Sequence, residues 1–129
     1  MLVEDNGTDV FLVQEAIKAH HLPVRLLLFT DGEAAIEFVE RVDGDSAIAP
    51  PRLFLLDLNL PRRSGSEVLA RIRQSPKCGR VPVVIVTSSD LEKERTLIAE
   101  LGATDYFRKP AGYDAFLAIG KVIQRLLAA

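Results

Sequence analysis

Leu53-Phe54-Leu55-Leu56-Asp57-Leu58-Asn59-Leu60-Pro61 is the stretch that decides the fold. Its first four residues are apolar without helical spacing, the habit of a strand buried on both faces within a parallel sheet. Pro61 has no N–H to give a neighbouring strand and ends the pairing. Asp57 therefore stands where a buried strand becomes a loop. In open α/β sheets that carboxyl edge is where ligands bind. A carboxylate after four apolar residues is costly unless something pairs with it, so partners are expected elsewhere in the chain.

Working outward, the same strand-then-helix alternation recurs on both sides. Met1-Leu2-Val3 reads as the end of a short strand running into Glu4-Asp5. Central strands usually have about five or six residues, which predicts that the natural chain begins upstream of Met1. Thr8 or Asn6 caps a helix over about residues 8–20, with Val10, Val13 and Ile17 facing inward. His20 and His21 close it as solvated residues at a helix end. Val24–Phe29 is a second strand, and Thr30-Asp31-Gly32 opens a helix whose Ala35, Phe38, Val39 and Val42 share one face. A polar loop from Asp43 to Arg52 leads back to the opening stretch.

After Pro61, Arg62-Arg63-Ser64 begins a third helix with Gly65, Val68, Leu69 and Ile72 on one side. Pro82–Val86 is a buried strand ending in Thr87. A polar helix with a thin apolar stripe spans about Asp90–Leu101, and Gly102 stops it. Thr104–Arg108 is the fifth strand. The last helix, about Gly112–Leu127, carries Phe116, Leu117, Ile119, Val122, Ile123, Leu126 and Leu127. That arc is wider than one sheet face needs and predicts a second partner surface, a homodimer or a downstream protein. Five strands alternating with five helices make a (βα)₅ chain, an α/β protein with a parallel sheet between helical layers.

Composition fits one globular domain without an output domain. The chain has 129 residues, 48% apolar and 26% charged, with a net charge of −2. Such a length buries roughly two-thirds of its unfolded surface. No clustered Lys and Arg recommend nucleic acid, and no apolar run is long enough to cross a membrane. The single Cys78 has no internal disulfide partner, which predicts a reducing, cytoplasmic setting.

In parallel strands the polar residues at the strand ends share one edge. Glu4-Asp5, Asp57, Thr87 and Lys109 thus face one crevice: three carboxylates, a hydroxyl and an ammonium. Like charges this close raise one another's pKa, and a hard divalent cation relieves them, with oxygen ligation suiting Mg²⁺. A carboxylate between a metal and a Lys is placed to attack phosphorus. Blander readings compete: Glu4-Asp5 as a helix-capping pair, Thr87 as the cap of the fourth helix, Lys109 as a solvated surface residue.

Taken together, Val3-Glu4-Asp5-Asn6, Leu55–Pro61 with Gly65, Pro82–Ser88, Tyr106 and Lys109-Pro110 resemble the receiver domain of two-component response regulators across the whole chain. The long loop before Arg52 and the wording LLDLNLP…EVLARI are most similar to single-domain regulators that serve phytochrome-type sensor kinases. The resemblance implies a flavodoxin-like sheet of order 2-1-3-4-5. It implies Asp57 as phosphoacceptor from a sensor histidine kinase, and Mg²⁺ on Asp5, Asp57 and the main-chain oxygen of Asn59, with Glu4 acting through water. Lys109 would hold a phosphoryl oxygen, on a cis bond to Pro110. Thr87 would bind the phosphoryl group, and Tyr106 would turn from exposed to buried, changing the surface of the fourth helix, fifth strand and fifth helix. Ser89 and Asn59 flank the site where the family tunes phosphate loss. Arg62-Arg63 is a solvated helix start or a contact for an acidic kinase surface.

Three departures stand out: the short first strand, Ala111-Gly112 after Lys109-Pro110, and Gly120 inside the last helix, which costs roughly 1 kcal/mol against Ala unless a neighbour packs closely there. A haloacid-type hydrolase also attacks with an Asp after a buried strand, but Asn59 stands where its second acid is needed. A receiver-like binding module without phosphorylation is the third class, and the intact acids with Lys109 weigh against it.

Overall fold

The structure, a computed structural model, describes residues 1–128. Five strands, β1 (Leu2–Val3), β2 (Leu28–Phe29), β3 (Phe54–Leu56), β4 (Val83–Thr87) and β5 (Asp105–Arg108), form one sheet in the order β2-β1-β3-β4-β5. Every pairing is parallel. The period of two in β3 divides the core. Phe54 and Leu56 face a cluster shared with the second and third helices, whereas Leu53 and Leu55 face a cluster shared with the first and last. Burial on both faces is why this strand reads as unbroken apolar sequence.

The helices follow the expected order with shifted ends. Helix α1 (Gly7–Ala19) is capped by Asn6, whose side chain accepts from the Asp9 N–H, and α2 (Gly32–Gly44) is capped by Asp31. Helix α3 (Gly65–Gln74) starts on a capping box between Ser64 and Glu67. Helix α4 (Glu92–Glu100) begins after Leu91 with no side-chain cap, so Thr87 does not cap it. Its thin stripe leaves Ile98 as its buried residue. Gly102, at φ +96, ends it as expected. The Arg73 guanidinium ties this turn down by donating to the carbonyls of Gly102 at 2.8 Å and Val81 at 2.6 Å. Cys78 lies in the turn after α3, with its side chain in the core.

Two expectations are corrected. The second strand was expected over Val24–Phe29, but only Leu28 and Phe29 pair, because β1 offers two ladder partners, Leu2 and Val3. Val24–Leu27 instead line an apolar cavity of about 310 Å³ together with Pro51, Leu53 and Leu127. The last helix is two segments, α5 (Tyr113–Phe116) and α6 (Ile119–Ala128). They join through tight i→i+3 bonds, Ala118 N–H to Ala115 and Gly120 N–H to Leu117. The broad apolar arc is mostly spent on the chain's own core: Phe116, Ile119 and Ile123 are buried, and Val122, Leu126 and Leu127 are packed against them. Among the described residues, no helix is long and apolar enough to cross a membrane.

Gly120 has a packing reason. A Cβ there would stand 2.1 Å from Nδ1 of His20, whose ring lies on α6 while contacting the Ala16 carbonyl at 3.0 Å. Gly120→Ala therefore gains helix propensity and loses the ring's seat. Chemical denaturation should show a net loss of about 1–3 kcal/mol, the usual cost of overpacking. In a His20→Ala background the same change should instead stabilise, by up to about 1 kcal/mol.

Candidate functional site

The carboxyl edge of the sheet gathers the predicted residues. Glu4 follows β1, Asp57 follows β3, Thr87 ends β4 and Lys109 follows β5. The backbone fixes them to one another: Asp57 N–H donates to Val3 at 3.1 Å, and Lys109 N–H to Thr87 at 2.8 Å. Glu4, Asp57 and Thr87 are buried, with exposures of 2%, 6% and 0%, while Asp5 is exposed. One carboxylate oxygen from each of Glu4, Asp5 and Asp57 lies within 4.8 Å of the others. Three hard oxygen donors at that separation fit a small divalent cation.

Lys109 was expected to reach the site through a cis bond to Pro110. No peptide bond is cis among the described residues. The trans form is the cheaper one for an X–Pro bond, and the side chain reaches the crevice from it. Its Nζ lies 2.6 Å from Glu4 Oε1, 2.6 Å from Asp9 Oδ2 and 3.5 Å from Asp57 Oδ2. Asp57 is the weakly held member of this set. Its other oxygen accepts a long 3.4 Å bond from Asn59 N–H, and the Glu4 carboxyl is its remaining side-chain neighbour. Electron pairs on Asp57 are thus left for a cation or an electrophile.

Burial pushes the Glu4 carboxyl up to about 7, reinforced by Asp57 and opposed by the Lys109 ammonium. Burial alone would lower the Lys109 pKa, but the hydrogen bonds it donates to Asp9 and Glu4 and the charge of Asp57 raise it on balance. Lys109 is thereby kept a cation.

The loop beyond Asp57 is pinned from two sides. A Cβ on Gly65 would meet the Asp57 carbonyl oxygen at 2.2 Å, and one on Gly32 the Arg63 carbonyl oxygen at 2.1 Å. Gly65 N–H donates to Leu58 at 2.9 Å, and Gly32 N–H to Pro61 at 3.2 Å. Arg62 takes φ 70 in this turn. Arg62 and Arg63 form exposed ion pairs with Glu33 and Glu67. On the other side, Thr87 Oγ1 accepts a 3.3 Å bond from Ser89 N–H. The Tyr106 hydroxyl donates to the Ser89 carbonyl, and the Arg95 guanidinium lies 4.7 Å over its ring. Tyr106 is half-buried, and burial raises its pKa.

Sequence reasoning missed Asp9. It sits in the first turn of α1, where an acid reads as helix-dipole decoration, yet it meets Lys109 across 100 positions. Its signal was available: Asp9 lies one turn beyond Asp5, on the helix that starts at this edge.

These features belong to a known class. The model of the response regulator receiver domain matches residues 1–120, and the chain belongs to that family. Among its relatives is the response regulator Rcp1 of Synechocystis sp., 42% identical over 110 residues that cover 84% of this chain and 74% of Rcp1. The crystal structure of Mn²⁺-bound Rcp1 superposes with a TM-score of 0.84 at 36% identity, covering 95% of this chain and 88% of the other. The phosphorylated cyanobacterial phytochrome response regulator RcpA gives 0.87 at 34% identity, covering 99% and 91%.

The charge count at this edge makes a prediction. Glu4, Asp5, Asp9 and Asp57 face one ammonium, so without a cation the site repels itself. Asp57→Asn removes one of those charges, keeps an oxygen for the Asn59 N–H, and weakens the longest Lys109 contact and the contact with Glu4. In chelator, thermal unfolding of the variant should lie a few degrees above the parent, the shift expected for about 1 kcal/mol. An equal or lower midpoint would mean that Asp57 is held more firmly than its contacts indicate.

Proposed function

We propose that the chain is a phosphorylation switch in which Asp57 takes a phosphoryl group from a sensor histidine kinase. The observation that carries this reading is the position of Asp57 between an acid pair and the Lys109 ammonium, with its own oxygens only loosely bonded. A carboxylate oxygen of Asp57 attacks phosphorus, the P–N bond of a phosphohistidine breaks, and the electron pair leaves with the imidazole. Asp5, Asp57 and the main-chain oxygen of Asn59 would hold Mg²⁺, with Glu4 acting through water, and the cation would supply positive charge against the phosphoryl oxygens. Lys109 supplies the second positive charge from the β5 side. The similarity to Mn²⁺-bound Rcp1 and to phosphorylated RcpA supports both the cation and the acceptor.

The modification adds about 1.5 to 2 negative charges and new acceptor oxygens. Thr87 lies at the neighbouring strand end and is the hydroxyl placed to meet them. Its loop continues to Ser89, which is already bonded to Tyr106. Movement of Thr87 is thereby passed to Tyr106 and to the face made by α4, β5 and α5. That face carries the exposed Leu91 and Leu97 and the weakly packed α4, and a second copy or a downstream protein would read it. The likeness to phytochrome response regulators supports a phytochrome-type kinase as the donor. The acceptor is a stoichiometric switch that loses its phosphate slowly, not an enzyme for outside esters. Asn59 fills the position where a haloacid-type hydrolase needs its proton-donating acid.

Intact mass after incubation with acetyl phosphate and Mg²⁺ tests the reading. One phosphoryl group on the parent is expected, and none on Asp57→Asn or in excess chelator. No adduct on a folded parent sampled within seconds would leave a binding module without phosphorylation. Sustained phosphate release from acetyl phosphate at many turnovers per chain would favour the hydrolase.

A further inference from the structure

Among the described residues, Lys109 is the one cation in contact with the acids of this edge, and its strongest contacts are not with Asp57. Nζ lies 2.6 Å from both Glu4 Oε1 and Asp9 Oδ2, against 3.5 Å from Asp57 Oδ2. An ammonium has three N–H donors. Two are committed to short, charge-assisted bonds, and the third reaches Asp57 only at the limit of a hydrogen bond. Glu4 belongs to the acid pair at the cation site. Asp9 does not. It stands on α1, outside the cluster of Glu4, Asp5 and Asp57, and its contact in this site is with Lys109.

We infer that Asp9 is a positioning residue that holds the Lys109 ammonium toward α1 and restrains it from the phosphoryl group arriving at Asp57. The inference rests on Asp57 being the acceptor. The geometry gives its sign. A carboxylate bonded to an ammonium offsets its charge and occupies one of its donors, so less of both is left for a phosphoryl oxygen. The site is shielded enough for this to matter: the side chains of Lys109 and Asp9 are 11% and 18% exposed, and screening by water is correspondingly weaker than at an open surface. Asp9 is also anchored through its main chain, whose N–H donates to the cap residue Asn6 at 3.2 Å. Asn at position 9 would preserve that anchor and the side-chain volume while removing the charge.

The test is the rate of phosphorylation of Asp9→Asn by limiting acetyl phosphate with Mg²⁺, measured beside the parent, Lys109→Gln and the double variant. Asp9→Asn should be faster than the parent by at least about threefold, and should make no difference in the Lys109→Gln background, because its effect passes through the ammonium. A rate equal to or below that of the parent in a folded variant would overturn the inference. So would an acceleration that survives in the Lys109→Gln background, since simple relief of repulsion toward an anionic donor would then explain it. Failure of the parent itself to take up phosphate would instead remove the acceptor reading on which the inference rests.

Discussion

The ion pairs of Lys109 hold the working edge of this molecule together. One ammonium joins the end of β1 through Glu4, the first turn of α1 through Asp9 and the end of β3 through Asp57. It reaches them because Lys109 N–H is bonded to Thr87, so the loop after β5 is tied to the end of β4. Side chains from three other elements thus meet on one charge. An excess of carboxylate remains once that ammonium is shared. The site is therefore under electrostatic tension that a divalent cation relieves, and a phosphoryl group raises it again. In the proposed switch, binding and modification would act on a balance already built into the crevice.

The frame around this balance is uneven. The loop after Asp57 is locked by backbone contacts that only Gly32 and Gly65 allow, and both faces of β3 are packed in the core. The opposite side is lighter. Helix α4 lacks a side-chain cap and buries little, and its surroundings depend on Arg95 over Tyr106 and on Asp90 pairing with Arg95 and Arg108 at exposed sites. Exposed pairs of that kind contribute little each. A rigid acceptor beside a lightly held helix is a sound arrangement for a switch. On the proposed reading, the charge change would fall where the backbone does not yield, and the response where it does.

Much of this was legible in the sequence because the signals were local. The apolar run before Asp57 fixed a doubly buried strand, and parallel pairing then put Glu4, Thr87 and Lys109 at the same edge. Gly120 was visible as an anomaly, and its cause, the His20 ring, required the packing of α1 on α6. What failed depended on tertiary contacts that sequence periodicity does not carry. Val24–Leu26 have strand-like composition but no residue of β1 beside them, and Leu27 is held only through its carbonyl, which accepts the Leu2 N–H. The wide apolar arc of the last helix reads as a free surface until its residues are seen packed on the chain's own core. The Lys109–Pro110 bond is trans, contrary to the expectation drawn from the resemblance. Asp9 looked like an ordinary first-turn acid, and only the path of Lys109 across the site reveals its partner.

This balance of charge singles out Asp57 as the proposed acceptor over its acidic neighbours. Borohydride reduction of the freshly phosphorylated chain, followed by peptide sequencing in the mass spectrometer, tests it most directly, since an acyl phosphate is reduced to the alcohol while a free carboxylate is not. Homoserine is expected at position 57 within the Leu53–Pro61 segment, with Glu4, Asp5 and Asp9 unmodified. A reduced side chain at any of those three positions, with Asp57 intact, would contradict it.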